Sequence, residues 1–176
     1  MKSLNTERLL LRKWEEADLK DLYEYAKCED VGPNAGWLPH KNEDESKKIL
    51  NMFINSNDTY AIVLKSENKV IGSISMHDKS PDESRSNLKE KQVGFVLNPK
   101  YWGNGYIPEA VNYIINYLFN ELKTDIIWCG HYDFNHKSKR VVEKCGFKYR
   151  FMKTERLKLL NNVEVSVLYY NILKTK

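Results

Sequence analysis

The chain has 176 residues, of which 41% are hydrophobic, 30% charged and 12% aromatic, enough for one folded domain. This composition excludes a wholly disordered chain, a collagen and a coiled coil. No apolar run approaches the ~20 residues of a membrane helix, and residues 1–12 lack the apolar stretch of a signal peptide, so we expect a soluble, cytoplasmic protein without a membrane partner.

The net charge of +4 comes from 28 basic and 24 acidic residues, and the basic residues form no cluster of the kind that binds nucleic acid. We therefore expect no nucleic-acid partner. The three cysteines, Cys28, Cys129 and Cys145, are too far apart for a zinc knuckle or a disulfide framework. They predict reduced, structural thiols and no metal.

The first part of the chain reads as a strand followed by two helices. Residues 6–12 form a short apolar run between charges, which predicts a strand. Residues 14–27 carry apolar side chains near a helical period and end at a loop rich in Gly and Pro, 31–40. The next helix begins at Asn42, whose side chain can cap it while Glu45 reaches back as in a capping box.

A hairpin comes next, formed by residues 60–64 and 70–76 around a polar turn. Residues 77–92 are polar and predict a mobile surface loop. An apolar strand over 93–97 follows and breaks at Asn98-Pro99.

The remaining elements complete a single α/β (α+β) domain over residues 1–176, with a mixed sheet flanked by helices. They are a long helix after the Gly-bearing segment 101–107, a buried strand at 126–129, a short helix over 135–144 stopped by Gly146, and closing strands at 147–156 and 163–172 joined by Asn161-Asn162.

The segment from Trp102 to Pro108 is the most informative part of the sequence. Gly103 and Gly105 remove Cβ atoms where a loop becomes a helix, so several backbone N–H groups can converge on an anion such as a diphosphate. A tight turn with no ligand would account for the same glycines. A Walker loop is excluded because no Lys-Ser/Thr follows, and a dinucleotide fold is disfavoured because Pro108 stands where a third glycine is needed.

This segment resembles the GNAT superfamily of acetyl-CoA-dependent N-acetyltransferases, and specifically its RimJ/RimL-like branch. Residues 102–110 are similar to W-G-x-G-Y-x-x-E-A throughout, except that Ile107 stands where a small residue is preferred and could narrow the approach to the diphosphate. Residues 135–138 and 143–147 resemble the N-x-x-S and E-K-x-G-F motifs, and residues 6–12 resemble the usual opening strand.

The resemblance implies a mostly antiparallel central sheet in which the fourth and fifth strands splay apart and the pantetheine arm of acetyl-CoA enters the gap. Asn135 would bond to the pantetheine or to the neighbouring strand, although a plain helix cap is an equal alternative. The implied cofactor-binding residues are Phe95, Val96, Leu97, Trp102, Gly103, Asn104, Gly105, Tyr106, Ile107, Asn135 and Ser138.

The resemblance also implies direct transfer to an amine. It suggests Ser138 as the proton donor, because the serine of the N-x-x-S motif is proposed in this role for related enzymes, and Val142 occupies the place of a tyrosine acid used by other members. Ser138 could equally bond to backbone or cofactor. Candidates for the general base are Glu155 and Glu90, together with His77, His131 and Asp133. We expect Trp37, His77 and His131 on the acceptor side, where Trp37 could stack on substrate or anchor its loop.

The acidity of the amine ranks the possible acceptors. At neutral pH a lysine ammonium costs about 4 to 5 kcal/mol to deprotonate, whereas an α-amine costs about 1 to 1.5 kcal/mol. Because no strong base is obvious, an N-terminal α-amine of a protein is the favoured acceptor. The alternatives are a small amine or aminoglycoside, a CoA-binding sensor without turnover, or a ligand-free interaction module. A monomer and a homodimer both remain open.

Overall fold

The computed structural model describes residues 1–82, 84 and 87–174, which form one sheet of eight strands with helices on both faces. The strand order is β1-β2-β3-β4-β5-β6-β8-β7, and only the β5–β6 pair is parallel. The strands are β1 (Leu4–Asn5), β2 (Leu9–Arg12), β3 (Thr59–Leu64), β4 (Lys69–His77), β5 (Glu90–Leu97), β6 (Ile126–Tyr132), β7 (Lys148–Leu157) and β8 (Val163–Leu173). The helices are α1 (Leu19–Ala26), α2 (Gly32–Ala35), α3 (Glu43–Asn55), α4 (Tyr106–Asn120) and α5 (His136–Lys144).

Each face of the sheet has its own apolar core. Helix α4 buries Val111, Ile114 and Leu118 against one face, and each such side chain contributes about 1.5–3 kcal/mol. On the other face, α1 and α3 bury Leu22 and Leu50. The helices in the described part of the chain include none that is long and apolar enough to span a membrane.

The first two predicted elements are shorter than their apolar patterns. The strand predicted over 6–12 corresponds to β2 and begins at Leu9. The Thr6 hydroxyl accepts a hydrogen bond from the Leu9 amide at 2.9 Å, which turns the chain between β1 and β2. The helix predicted over 14–27 begins as a 3-10 turn at Glu16–Asp18 and continues as α1. The loop after it contains the one-turn helix α2.

The predicted start of α3 is confirmed. The Asn42 side chain accepts a hydrogen bond from the Glu45 amide at 3.0 Å, as a helix cap requires. The Glu45 carboxylate reaches back one residue further than in a standard capping box and accepts from the Lys41 amide at 2.8 Å.

The polar segment predicted as a loop over 77–92 ends earlier, because β5 begins at Glu90. Residues Glu90–Val93 pair in parallel with Ile126–Cys129, which draws three polar residues into the sheet. Polarity alone misassigned them because each has a polar environment in the sheet: Glu90 bonds to the Trp128 indole, Lys91 pairs with Asp78, and Gln92 borders a cavity. Residues 83, 85 and 86 of the predicted loop lie outside the described residues.

The predicted splay is confirmed. Pairing between β5 and β6 stops at Val93 and Cys129, so residues 94–97 pair only with β4 and residues 130–132 only with β8. The Asn98 amide donates to the Ile71 carbonyl on β4 at 2.8 Å. Because the hydrogen-bonding groups of a strand alternate in direction, those of residues 95 and 97 face the gap.

Candidate functional site

A cavity of about 720 Å³ occupies the gap between β5 and β6 and opens on both faces of the sheet. On the α4 face it is bounded by the turn before α4 and by one side of α5. On the other face its walls come from β4, β5, β6, β7, β8 and the loop that holds α2. Pairing between β5 and β6 ends at Val93 and Cys129, which we call the strand-parting point.

The turn before α4 leaves several backbone amides without a partner among the described residues. Gly103 and Gly105 have φ angles of +84° and +78°, and a Cβ at Gly103 would meet no heavy atom within 4 Å. The backbone N–H groups of residues 103–105 donate to no described residue. The amides of Tyr106 and Ile107 add to them, because the first N–H groups of a helix have no partner within it. These groups fit the diphosphate of coenzyme A.

The turn is held from behind by contacts to the start of β2. Arg8 donates to the Asn104 carbonyl at 3.0 Å and forms an ion pair with Glu109 at 2.7 Å. The Thr6 hydroxyl donates to Glu109 at 2.5 Å. Burial raises the pKa of Glu109, but the hydrogen bonds from Thr6 and Arg8 outweigh it and leave that pKa below its usual range.

The other side chains predicted at the diphosphate turn face different surroundings: the turn itself, the cavity or the α4 core. Asn104 donates to the Tyr101 carbonyl at 3.1 Å, so its side chain is used within the turn and does not line the cavity. Trp102 lines the cavity and donates its indole N–H to the Leu97 carbonyl at 2.9 Å. Ile107 is 5% exposed and packs into the α4 core, so its size does not obstruct the amides.

The predicted strand residues Phe95, Val96 and Leu97 all line the cavity, as do Asn135 and Ser138 at the start of α5. Asn135 caps α5 by accepting from the Ser138 amide at 3.0 Å, and its side-chain NH₂ donates to the Asn34 carbonyl at 3.1 Å. The helix-cap alternative therefore describes Asn135 in this structure.

The Ser138 hydroxyl has no hydrogen-bond partner among the described residues and borders the cavity. It is thus available as a proton donor to a group bound in the gap. Val142, four residues further, is 1% exposed and belongs to the α4 core.

Three basic side chains of α5, Lys137, Arg140 and Lys144, border the same cavity. The Lys137 ammonium lies 3.6 Å from the centre of the Trp102 ring, beside the diphosphate turn. None of the three has a described carboxylate within ion-pair distance, whereas Lys139 pairs with Glu143 at 3.9 Å. Unpaired cations of this kind suit the phosphates of coenzyme A.

A polar strip of β4 and β5 forms the floor of the cavity on the face opposite α4. Ser75 lies directly across from Gly94, and His77 directly across from Gln92. All four line the cavity. Gly94 contributes no side chain, which leaves the strand-parting point accessible from this face.

His77 is held by a carboxylate. Its Nδ1 lies 2.6 Å from Oδ2 of Asp58. Burial raises the pKa of Asp58, but hydrogen bonds from His77 and its neighbours outweigh this and lower that pKa overall. A hydrogen bond from Nδ1–H to this carboxylate would leave Nε2 as the ring nitrogen that can accept a proton.

The candidate bases Glu155 and Glu90 have different environments. Glu155 lines the cavity and accepts a hydrogen bond from the Tyr169 hydroxyl. Burial and this carboxylate raise the pKa of Tyr169. Glu90 accepts from the Trp128 indole at 2.6 Å and does not line the cavity, so the structure does not bring it to the site as the sequence interpretation required.

Of the other predicted residues, His131 borders the cavity with both ring nitrogens already engaged, by the Tyr132 carbonyl at 2.8 Å and the Tyr170 hydroxyl at 3.2 Å. Asp133 accepts from the Phe134 amide at 2.8 Å and does not line the cavity. Neither is free to act as a base in this arrangement.

The loop that holds α2 covers the face of the cavity opposite α4. Trp37 lines the cavity and also packs against the α1–α3 core and His40, with ring centres 5.2 Å apart. Gly36 has φ +92°, and a Cβ there would lie 2.3 Å from the Tyr132 hydroxyl, so the loop touches β6. Trp37 therefore anchors the loop and remains available to substrate.

Sequence reasoning missed Gln92, Ser75 and the three cations of α5. Gln92 was assigned to a loop, although alternation along β5 puts it on the same face as Gly94. The cations recur at positions 137, 140 and 144, a spacing that places them on one face of a helix.

Comparison with known proteins agrees with this geometry. Residues 8–148 match the family model described as an acetyltransferase (GNAT) domain. The uncharacterized N-acetyltransferase YnaD of Bacillus subtilis (strain 168) is 28% identical over 148 residues, covering 82% of each chain. A GNAT-family acetyltransferase structure from Bacillus anthracis has a TM-score of 0.84 and 27% identity, covering 98% of each chain.

A more distant structure, the spermidine N-acetyltransferase from Vibrio cholerae in complex with CoA and spermine, has a TM-score of 0.72 and 21% identity. It covers 94% of this chain and 95% of its own, and at that identity it shows the shared fold. The family match spans most of the chain and includes the splayed strands and the diphosphate turn. The chain therefore belongs to the GNAT family and is an N-acetyltransferase that uses acetyl-CoA as its acetyl donor.

Proposed function

We propose that the acceptor is the α-amine at the N-terminus of a protein or peptide, the reaction of the RimJ/RimL-like branch that the motifs resemble. The observation that carries this proposal is the basic group of the acceptor face, an imidazole, His77, held 2.6 Å from Asp58. A base of this kind suits an α-amine, which costs about 1 to 1.5 kcal/mol to deprotonate at neutral pH, better than a lysine ammonium, which costs about 4 to 5 kcal/mol.

The residues on the two faces have separate tasks in this reaction. Acetyl-CoA supplies an activated acetyl thioester to the gap. The amides of residues 103–107 hold its diphosphate. The gap-facing backbone of Phe95 and the N–H of Leu97, whose carbonyl already accepts from the Trp102 indole, hold the pantetheine amides and polarise the thioester carbonyl. His77 takes the proton that the amine loses, and the Ser138 hydroxyl protonates the leaving sulfur.

The proton balance of the transfer follows from these roles. The amine nitrogen forms a bond to the acetyl carbon as the carbon–sulfur bond breaks. One amine proton passes to Nε2 of His77, the sulfur takes a proton from Ser138, and solvent exchange returns both side chains to their starting states.

A small cationic amine is a second candidate, because a carboxylate also borders the acceptor side. Glu155 lines the cavity, where it would attract a polyamine or an aminoglycoside. The likeness to a spermidine N-acetyltransferase extends to the fold alone and does not distinguish the two acceptors.

A thiol-release assay with a matched acceptor panel tests the proposal. Peptides beginning with Ala, Ser or Met are compared with the same peptides formylated at the N-terminus, and with spermidine and kanamycin. We expect CoA release with the free peptides and none with the formylated ones. Release with spermidine or kanamycin alone would instead favour the small amine, and CoA binding without any release would favour a sensor.

The role of His77 is tested by the variants His77→Gln and Asp58→Asn. Loss of the proton acceptor is expected to lower kcat for the active peptide by about 100-fold, in the range of general-base contributions. The Asp58→Asn change should have a smaller effect and shift the rising limb of the pH profile. The matched variant Glu155→Gln separates the two candidate bases, since only loss of the true base should lower kcat by about 100-fold.

A further inference from the structure

The side-chain oxygen of Gln92 is enclosed in the cavity wall and meets no donor among the described residues. Trp128, its partner on β6, gives its indole N–H to Glu90 instead. A buried carbonyl without a donor has lost its hydration and gained nothing in exchange. One explanation for a buried carbonyl without a donor is a bound ligand that supplies the missing donor.

The surroundings of Gln92 fit a small donor. The cross-strand neighbour His77 is engaged at Nδ1 by Asp58. Ser75 makes only a long contact to the Gly94 carbonyl, at 3.5 Å. Gly94, two residues from Gln92 on the same face, has no side chain, and the Ser75 hydroxyl lies close above it, 3.0 Å from where a Cβ would stand. A ligand there would lie between a hydrogen-bond acceptor and a proton acceptor.

We propose that Gln92 is the acceptor-binding residue: its side chain turns its buried oxygen toward the cavity when the acceptor binds, and that oxygen accepts a hydrogen bond from an N–H of the amine, which leaves the nitrogen lone pair directed at the acetyl group. The inference rests on the proposed transfer to a primary amine. An amide is suited to this task because it accepts a hydrogen bond but no proton at neutral pH. A carboxylate at this position would hold the amine as an ammonium ion and raise its pKa.

The decisive variant is Gln92→Met, which keeps the length of the side chain and removes its polar atoms. A residue kept for structure would destabilise the protein when replaced. A residue kept for substrate should have the opposite effect, because the variant no longer buries an unpaired carbonyl. We expect Gln92→Met to unfold at a higher denaturant concentration than the wild type, and to raise the acceptor KM about tenfold with the KM for acetyl-CoA unchanged.

Two further variants control the experiment. Glu90→Gln lies two residues earlier on the same face of β5, outside the cavity, and should leave both KM values unchanged. Gln92→Glu should move the rising limb of the pH profile to higher pH, because the new carboxylate stabilises the protonated amine.

The outcomes separate this inference from the proposed function. Destabilisation by Gln92→Met, or an acceptor KM equal to that of the wild type, would overturn the role of Gln92 while the transfer reaction stands. A wild-type protein that binds CoA and acetylates no amine would overturn the proposed function, and this inference with it.

Discussion

Arg8 donates a hydrogen bond to the backbone carbonyl of Asn104 at 3.0 Å, which links the residue before β2 to the middle of the glycine turn. The same guanidinium pairs with Glu109 at 2.7 Å and stacks on Tyr106. With the carbonyl held from behind, the amides of residues 103–107 remain free for an anion.

Removal of this brace should weaken coenzyme binding. We expect Arg8→Ala to lower CoA affinity about three- to tenfold, measured by calorimetry, because the turn must then be ordered upon binding. The control is Lys2→Ala, which breaks an exposed ion pair to Glu121 at the other end of α4 and should leave affinity unchanged. Equal affinities for Arg8→Ala and the wild type would contradict the bracing role.

Two of the positive-φ glycines, Gly105 and Gly146, offer a matched pair, at +78° and +84°. A valine at either position is strained by about 1–2 kcal/mol, so both variants should lose similar stability. Only Gly105→Val should also weaken CoA binding, because its side chain and its shifted backbone disturb the diphosphate turn. Thermal unfolding and calorimetry measure the two effects, and a similar loss of CoA affinity in Gly146→Val would refute the distinction.

The cations of α5 should strengthen coenzyme binding in a salt-dependent way. We expect Arg140→Gln to reduce CoA affinity about tenfold at low salt, the size of one charge-assisted hydrogen bond, and less as salt screens the charge. Lys139→Gln removes the same charge from the adjacent position, which pairs with Glu143 and does not border the cavity. Calorimetry across a salt series should therefore separate the variants, and identical curves would count against a phosphate contact.

Asn135 has two bonds that can be removed separately. Asn135→Asp retains the oxygen that caps α5 but loses the donor to the Asn34 carbonyl, whereas Asn135→Ala loses both. We expect Asn135→Ala to cost about 1 kcal/mol of stability and Asn135→Asp much less. Both should speed hydrogen exchange in the loop over residues 31–40. Unchanged exchange would show that the Asn34 contact does not hold the loop.

Glu24 should make the protein sensitive to acid. Its hydrogen bond to Lys69, at 2.7 Å, is the main reason its pKa is lowered to about 2, with Lys100 and Asn98 adding to the effect. Because this folded-state pKa lies below the unfolded value, the stabilisation is complete above about pH 4.5 and is lost as the pH falls toward 2.

The variant Glu24→Gln isolates this contribution. We expect the wild type to exceed it in stability by about 2 kcal/mol at neutral pH, with the difference shrinking below pH 4.5. Urea unfolding at pH 7, 4 and 3 measures it, and a difference that stays constant across the range would exclude Glu24 as the source.

The sequence by itself determined the family, most of the elements and the glycine turn before α4. Local features account for this. The glycines at 103 and 105 act within a few residues of chain, and Asn42 and Asn135 cap helices that begin at the next residue. The spacing of the apolar residues in α4 likewise predicts that helix from nearby residues alone.

Only the tertiary structure decided which polar side chains border the cavity on the face opposite α4. Gln92 and His77 are separated along the chain by a polar segment, and antiparallel pairing of β4 with β5 puts them opposite each other. Glu90 and Glu155 are equivalent as sequence letters, yet one bonds to Trp128 outside the cavity and the other borders it. The physical reason is register: which polar side chain meets a cavity depends on strand pairing between distant segments, which no local pattern specifies.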